Sequence, residues 1–176
     1  AQADPLAGGA FPVSWPLVKR IVCAADGSAT AIQAAEAAIA LAAASQAELV
    51  FVHVLDDELI RDFASVMDDD GGAARQRLER NAAQILAHLA DLAARAGVCC
   101  KSRLETGDPP RVIDAIAREL QADVIVMGKV GQRGLRKWLV GSVTRRLIES
   151  THIPVLVITG TAEPPRGGAS GGVTSR

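Results

Sequence analysis

The chain has 176 residues, a formal net charge of −1 and 49% hydrophobic residues, which suits one domain with an aliphatic core. Nucleic-acid-binding domains are normally strongly basic, so this charge argues against general nucleic-acid binding. No apolar run has membrane-spanning length, no basic segment leads into an apolar one near the N-terminus, and the three cysteines form no metal-site or disulfide pattern. We therefore expect a soluble cytoplasmic protein that contacts neither nucleic acid nor membrane.

The two ends of the chain differ in composition from the centre. Residues 1–17 contain three prolines and a glycine pair without a sustained hydrophobic period, which predicts a mobile tail. Residues 161–176 are rich in glycine, proline and serine, which predicts a disordered tail. The remaining residues, 18–160, are expected to form the single folded domain.

The first half of this domain alternates between apolar runs and helical patterns. Residues 18–25 predict a strand, and a turn at Asp26, Gly27 and Ser28 leads into an alanine-rich helix over about 29–45. Asp26 has two interpretations, a turn or cap residue and a ligand-binding residue. Residues 48–55 predict a second buried strand, in which a lone His53 is more typical of a packed core residue than of a ligand.

An acidic stretch and a long periodic helix follow. Residues 56–72 carry seven acidic side chains, which we interpret as a solvated loop with a short helical piece, since the spacing fits no Ca²⁺ loop. Residues 74–96 repeat apolar side chains at steps of three and four and predict a helix that ends at Gly97.

The second half repeats the alternation of strand and helix. Residues 98–105 alternate apolar and polar side chains, which predicts an edge strand, and a helix begins after Gly107 at Pro109 and Pro110. Residues 122–127 predict a buried fourth strand, residues 142–150 a helix, and residues 153–158 an edge strand, because Pro154 cannot donate to a ladder. Five strands alternating with four main helices predict an α/β fold with a parallel sheet.

A glycine-rich, basic stretch follows the fourth strand. Gly128 and Gly131 are followed after nine residues by Gly141 and Ser142, at the predicted start of a helix. No acidic residue lies between Asp123 and Glu149, whereas six basic residues do: Lys129, Arg133, Arg136, Lys137, Arg145 and Arg146. Glycine admits close approach of a ligand, and a helix N-terminus offers unpaired N–H groups, so this stretch predicts a phosphate-binding loop.

This glycine pattern resembles the signature of the nucleotide-binding universal stress proteins. The continuation Val143-Thr144 and the final apolar run around Pro154 are also similar to that family, and the resemblance covers about residues 18–160. It implies an open, Rossmann-like five-stranded parallel sheet of order 3-2-1-4-5, with helices on both faces. The first and fourth strands are then neighbours that form a topological switch point, where ligands bind.

The resemblance also implies a set of nucleotide-binding residues. Adenine and ribose would meet Ala25, Asp26 and the backbone of Val54, with Met127 and Gly128 beside them. The phosphates would meet Gly131, Gly141, Ser142, Val143 and Thr144 through N–H groups and hydroxyls. Lys129 and Val130 stand between the first two glycines, where Lys129 supplies positive charge. The family further implies a homodimer in which the strand at 153–158 pairs with its copy.

Several functions remain open at this point. The leading hypothesis is an ATP-binding stress sensor or switch, with or without Mg²⁺, that signals to an unidentified regulatory protein. The alternatives are a member of the same family that binds cAMP and a nucleotide-independent interaction module. The sequence contains no Walker loop, no nucleophile beside a base and no metal-ligand cluster, so we predict no catalytic residues and at most slow ATP hydrolysis.

Overall fold

The computed structural model describes residues 18–67, 72–130 and 140–160, which form five strands and five helices. The elements are β1 Arg20–Ala24, α1 Ala29–Ser45, β2 Glu48–Asp56, α2 Asp57–Met67, α3 Gly72–Arg95, β3 Cys100–Gly107, α4 Pro109–Glu119, β4 Val124–Gly128, α5 Ser142–Ser150 and β5 Val155–Ile158. The predicted tails and the predicted loop position Gly131 lie outside the described residues.

All strands belong to one sheet, and its order is β3-β2-β1-β4-β5. Every neighbouring pair is parallel; for example, Cys23 of β1 lies opposite Phe51 of β2 and Val126 of β4. The predicted sheet order is therefore confirmed. Because β1 and β4 are neighbours but not consecutive in the chain, the segments that follow them leave from adjacent points at the same edge of the sheet.

Side chains from the sheet pack in two layers. On one face, Cys23 and Phe51 are fully buried against α1 and α3. On the other face, Val22 and Val52 pack against α4 and α5, where Leu147 is fully buried. A strand that is covered on both faces needs apolar side chains at every position, which explains the unbroken apolar run of β4. The alanines of α1 let that helix lie close to the sheet.

The acidic stretch after β2 is a helix over most of its described length. The short helical piece is therefore present, but it is longer than expected, and the interpretation of the rest of the described stretch as a loop was wrong. α2 runs from Asp57 to Met67 and packs on α3 and β2. Asp57 and Glu58 occupy its first turn, where acidic side chains are favoured by the helix dipole. Leu59, Ile60 and Phe63 are partly buried, so the apolar residues of this stretch form one side of an amphipathic helix.

The two edge strands were predicted in the correct places with shifted limits. β3 begins at Cys100, two residues later than expected, and ends at Gly107. β5 begins at Val155, after Pro154. Proline offers no N–H for a ladder, but its carbonyl accepts the N–H of Ile125 at 2.9 Å, so the residue still ties β5 to β4.

Within the described parts of the chain, no helix is long and apolar enough to cross a bilayer. The same residues contain no group of three or more histidine, cysteine or acidic side chains placed to hold a metal ion.

Candidate functional site

The predicted site lies where β1 and β4 end side by side. Ala25 and Asp26 follow β1, while Gly128 is the last residue of β4. Strand pairing places Ile21 opposite Val124 and Cys23 opposite Val126, so both strands deliver their next residues to the same sheet edge. Two motifs about 100 residues apart in sequence therefore meet in space.

A crevice of about 310 Å³ opens at this edge. Ten of the twelve predicted site residues line it: Ala25, Asp26, Val54, Met127, Gly128, Val130, Gly141, Ser142, Val143 and Thr144. Lys129 does not line the crevice, and Gly131 lies outside the described residues. A crevice of this size that combines apolar walls with a few polar groups is typical of a small-molecule site.

One end of the crevice is the N-terminus of α5. Gly141 is its N-cap residue with φ −59° and ψ 152°, and the first helical hydrogen bond joins the N–H of Arg145 to the carbonyl of Gly141 at 2.9 Å. The N–H groups of Ser142, Val143 and Thr144 therefore precede the hydrogen-bond ladder of the helix. These groups and the helix dipole provide partial positive charge suited to an anion.

Thr144 has a role within the protein. Its side chain is almost fully buried, and its hydroxyl donates to the carbonyl of Gly128 at 3.0 Å. This bond fixes the start of α5 to the end of β4. A hydroxyl has only one hydrogen to donate, and that of Thr144 is already bonded, so Thr144 can donate to an anion only through its backbone N–H. The exposed Ser142 can donate through both its N–H and its hydroxyl.

Gly128 lies in close contact with the start of α1. A Cβ on Gly128 would lie 2.7 Å from Thr30 Oγ1, 2.8 Å from the Thr30 carbonyl carbon and 3.0 Å from the Ala31 nitrogen. Glycine is thus required at Gly128 because β4 ends directly against the first turn of α1. The close approach that the sequence suggested exists here, but it is between two parts of the protein.

The entrance and exit of the glycine-rich segment are joined by backbone hydrogen bonds. Lys129 donates its N–H to the carbonyl of Ile158 in β5, and Gly141 donates its N–H to the carbonyl of Lys129, both at 2.8 Å. Lys129 and Gly141 are therefore in direct contact. The start of α5 is thereby held beside the end of β4.

The turn after β1 supplies an acidic side chain that lines the crevice. Asp26 Oδ1 accepts the N–H of Ser28 at 2.9 Å, and Ser28 caps α1 by accepting the N–H of Ala31 at 3.2 Å. The two interpretations of Asp26 are compatible, because the same carboxylate takes part in the turn and lines the crevice.

His53 is buried, as expected for a core residue, and its Nδ1 forms no hydrogen bond with any described residue. Burial lowers the pKa of its imidazole below the usual value. The Asp26 carboxylate and the backbone of Ala25 raise this pKa, but their effect is smaller than that of burial. The ring is therefore neutral at pH 7.

This lowered pKa predicts a loss of stability in mild acid. The unfolded chain takes up a proton at His53 near pH 6.5 while the folded chain does not, so the free energy of unfolding decreases as the pH falls below about 6.5. We expect His53→Gln to have a shallower decrease between pH 7 and 5 than the wild type, measured by urea unfolding. His88→Gln, on the exposed side of α3, is the control and should keep the wild-type slope. Equal slopes in all three proteins would contradict the prediction.

The sequence of this chain is similar to those of known proteins. The sequence profile of the universal stress protein family matches residues 18–159. The chain belongs to the universal stress protein family. Universal stress protein MJ0531 of Methanocaldococcus jannaschii is 32% identical over 143 residues, which cover 81% of this chain and 82% of that protein. The predicted family is therefore confirmed.

Solved structures agree with the fold of this universal stress protein. The structure of hypothetical protein MJ0577 has a TM-score of 0.70 at 28% identity and covers 81% of this chain and 96% of its own. A universal stress protein solved in complex with cAMP has a TM-score of 0.60 at 25% identity and covers 81% of this chain and 97% of its own.

Some residues of the crevice were not found from the sequence. Leu59 of α2 and Leu78 and Asn81 of α3 line it. Pro109 and Ile113 of α4 also line it. The amphipathic pattern of α2 was the available signal, but it does not say that the helix lies over the end of the sheet.

Proposed function

We propose that this universal stress protein binds ATP in the crevice between β1 and β4 and acts as a sensor or switch. The observation that carries the proposal is the convergence of the α5 N-terminus, with its three N–H groups, and the Asp26 turn on one crevice of about 310 Å³. In this proposal, residues 18–160 form the nucleotide-binding domain, and the protein acts in the cytoplasm, where a partner protein reads its occupancy.

The adenosine end of the proposed site is mostly apolar. Ala25, Val54 and Met127 offer apolar surface to a base, and Asp26 lies where its carboxylate can accept hydrogen bonds from ribose hydroxyls. In many nucleotide sites, apolar side chains pack against the base and a carboxylate accepts a hydrogen bond from a ribose hydroxyl. The apolar walls contribute affinity, and Asp26 contributes orientation.

The phosphate end is the start of α5. Three N–H groups point out of the helix before its hydrogen bonds begin, and the hydroxyl of Ser142 adds a fourth donor. Lys129 and Arg145 lie next to the crevice residues in sequence and contribute positive charge around the bound anion. We further propose that Gly131, at the phosphates, completes this end of the site. Where Mg²⁺ accompanies ATP, the phosphates themselves would hold the ion.

A calorimetric titration with ATP, ADP, adenosine and cAMP tests the proposal. We expect affinity to rise from adenosine to ADP to ATP, because each added phosphate brings charge to the N–H groups of α5. The affinity for ATP should also decrease with added salt, since the basic residues here are partly solvated. Absence of binding by all four ligands, or adenosine binding as tightly as ATP, would remove the proposed function.

A cyclic nucleotide is the second candidate, and one observation favours it. A structurally similar universal stress protein was solved in complex with cAMP. A cyclic monophosphate carries one negative charge and fills less of the phosphate end. The titration separates the two candidates, because a cAMP sensor would bind cAMP more tightly than ATP. The same titration tests the nucleotide-independent module, which would bind neither ligand.

ATP turnover is expected to be negligible. Among the described crevice residues, the carboxylates are Asp26, which follows β1, and Asp56, the last residue of β2. Hydrolysis needs an oriented water and stabilisation that grows in the transition state, and neither carboxylate is placed to orient a water at the terminal phosphate. A steady-state phosphate-release assay should give a rate far below the typical enzyme value of roughly 10 s⁻¹. Rapid turnover that is lost in Ser142→Ala would identify an ATPase instead.

We also propose a homodimer in which β5 pairs with its copy. This edge strand is apolar, with the sequence Val155–Ile158, and Leu156 is 40% exposed. An exposed apolar edge strand is normally covered by another element or chain.

A charge at this edge is expected to prevent dimer formation. Sedimentation at micromolar concentration should show a dimer for the wild type and a monomer for Leu156→Lys, because two lysines would meet across the two-fold axis. Leu104→Lys is the matched control, since Leu104 is a similarly exposed leucine on the opposite edge strand, β3, and its variant should remain a dimer. A monomeric wild type would contradict the dimer.

A further inference from the structure

Two hydroxyl groups at the start of α1 meet the backbone carbonyl of Val130, in the segment that follows β4. Thr30 Oγ1 donates a hydrogen bond to Val130 O, and Ser28 Oγ lies 3.4 Å from the same oxygen. Ser28 already serves as the helix cap through its bond from Ala31. The Thr30 side chain is half-buried at the second position of α1, outside both groups of core residues.

The carbonyl of Val130 differs from its neighbours in how it is held. The N–H and the carbonyl of Lys129 are both bound by backbone partners, Ile158 and Gly141. Among the described residues, Val130 O has hydroxyl donors from side chains of α1. Val130 also lines the crevice, so the direction of its carbonyl affects what a ligand meets there.

We propose that Thr30 is a positioning residue for phosphate binding, because its hydroxyl holds the Val130 carbonyl against α1 and away from the crevice. This inference rests on the proposed ATP site. A carbonyl oxygen carries partial negative charge, so a Val130 carbonyl turned into the crevice would repel a phosphate and would have to be displaced before ATP binds. If the Thr30 hydroxyl holds the Val130 carbonyl at α1, the site needs no rearrangement of this carbonyl when the phosphate binds.

The close packing at Gly128 makes this hydrogen bond possible. The Cβ position of Gly128 lies within 3.0 Å of Thr30 and Ala31 atoms, so the end of β4 and the first turn of α1 touch directly. At this separation, a short side chain at Thr30 reaches the residue two positions beyond Gly128. The hydroxyl, and not the methyl group of Thr30, performs the proposed role.

Substitutions that keep the shape and remove the hydroxyl test the proposal. Thr30→Val should weaken ATP binding roughly three- to tenfold, the range expected for the net contribution of one hydrogen bond, and should leave adenosine affinity unchanged. Thr30→Ser keeps the hydroxyl and should bind ATP like the wild type. Thr159→Val, at an exposed threonine after β5, controls for the general effect of this substitution. All affinities come from calorimetry, beside a thermal melt of each variant.

Two results would overturn the inference. Thr30→Val could bind ATP as tightly as the wild type, or it could lose ATP and adenosine affinity by the same factor, which would make Thr30 a residue of general stability. If the valine variant does not fold, Thr30→Ala replaces it with the same expectations.

Amide hydrogen exchange without nucleotide separates this inference from the proposed function. The N–H of Gly141 is bonded to Lys129, next to Val130, and its exchange should be faster in Thr30→Val than in Thr30→Ser. Unchanged exchange would show that the hydroxyl does not hold this segment. If the wild type fails to bind ATP, the proposed function is wrong and the phosphate-binding role of Thr30 is wrong with it, whatever the exchange shows.

Discussion

Gly141→Val is expected to reduce ATP affinity by about a hundredfold or more while the protein remains folded. The valine side chain would stand at the N-cap of α5, in the crevice, next to the three N–H groups proposed to bind phosphate. Hydrogen bonds to a charged group contribute about 1.5–3 kcal/mol each, so loss of two of them explains the expected size. The backbone at Gly141 has φ −59° and ψ 152°, which valine adopts readily.

A small loss of stability should accompany this loss of binding. Valine and alanine are both poorer N-cap residues than glycine, and the cost is about 1 kcal/mol or less. Gly141→Ala is therefore the matched control, since it changes the cap in the same way but adds one carbon. Calorimetry with ATP and a thermal melt should show similar stability for both variants and much weaker binding for valine. A folded Gly141→Val protein with wild-type affinity would remove Gly141 from the site.

Gly128→Ala is expected to have the opposite outcome, a large effect on stability. The added Cβ would overlap the Thr30 carbonyl carbon and the Ala31 nitrogen, which are backbone atoms that no rotamer change can move. β4 is buried at every position, so the strand cannot shift outward. Overpacking of this kind costs about 1–3 kcal/mol, measured as the free energy of unfolding in urea.

A second variant identifies which atoms cause this destabilisation. Gly128→Ala combined with Thr30→Ala removes the closest contact, at Thr30 Oγ1, but leaves both backbone contacts. The double variant should regain only part of the lost stability. Full recovery would assign the effect to the threonine side chain. Wild-type stability of Gly128→Ala alone would show that β4 and α1 are not in close contact at this residue.

Much of the fold could be predicted because its signals are local. An unbroken apolar run such as that of β4 identifies a strand covered on both faces, and Pro154 identifies an edge. The sheet order came from the family resemblance, and the structure has the same order. Asp26 and Gly128 were predicted to lie near each other because parallel strands deliver their following residues to one edge.

The errors and omissions have a physical cause in common, since they depend on contacts between distant segments. The acidic stretch was interpreted as a loop with only a short helical piece, because charge alone does not show that the apolar residues between the acidic ones pack on α3. Thr30 was not identified, because its role depends on the distance between α1 and Val130. Gly128 was assigned to the nucleotide site, whose crevice it lines, but its close contact with the backbone of α1 was not predicted. A glycine at position 128 predicts that another group lies close to the backbone, but it does not show whether that group is a ligand or another part of the protein.

The most direct test of the central claim is an NMR titration of ¹⁵N-labelled protein with ATP. In the proposed site, the phosphates of ATP bind at the start of α5 and its ribose binds near Asp26. We predict that the amide resonances of Ser142, Val143 and Thr144 shift most, together with that of Asp26, and that adenosine shifts Asp26 but not the α5 amides. Shifts confined to other surfaces, or no shifts at millimolar ATP, would contradict this account of the site.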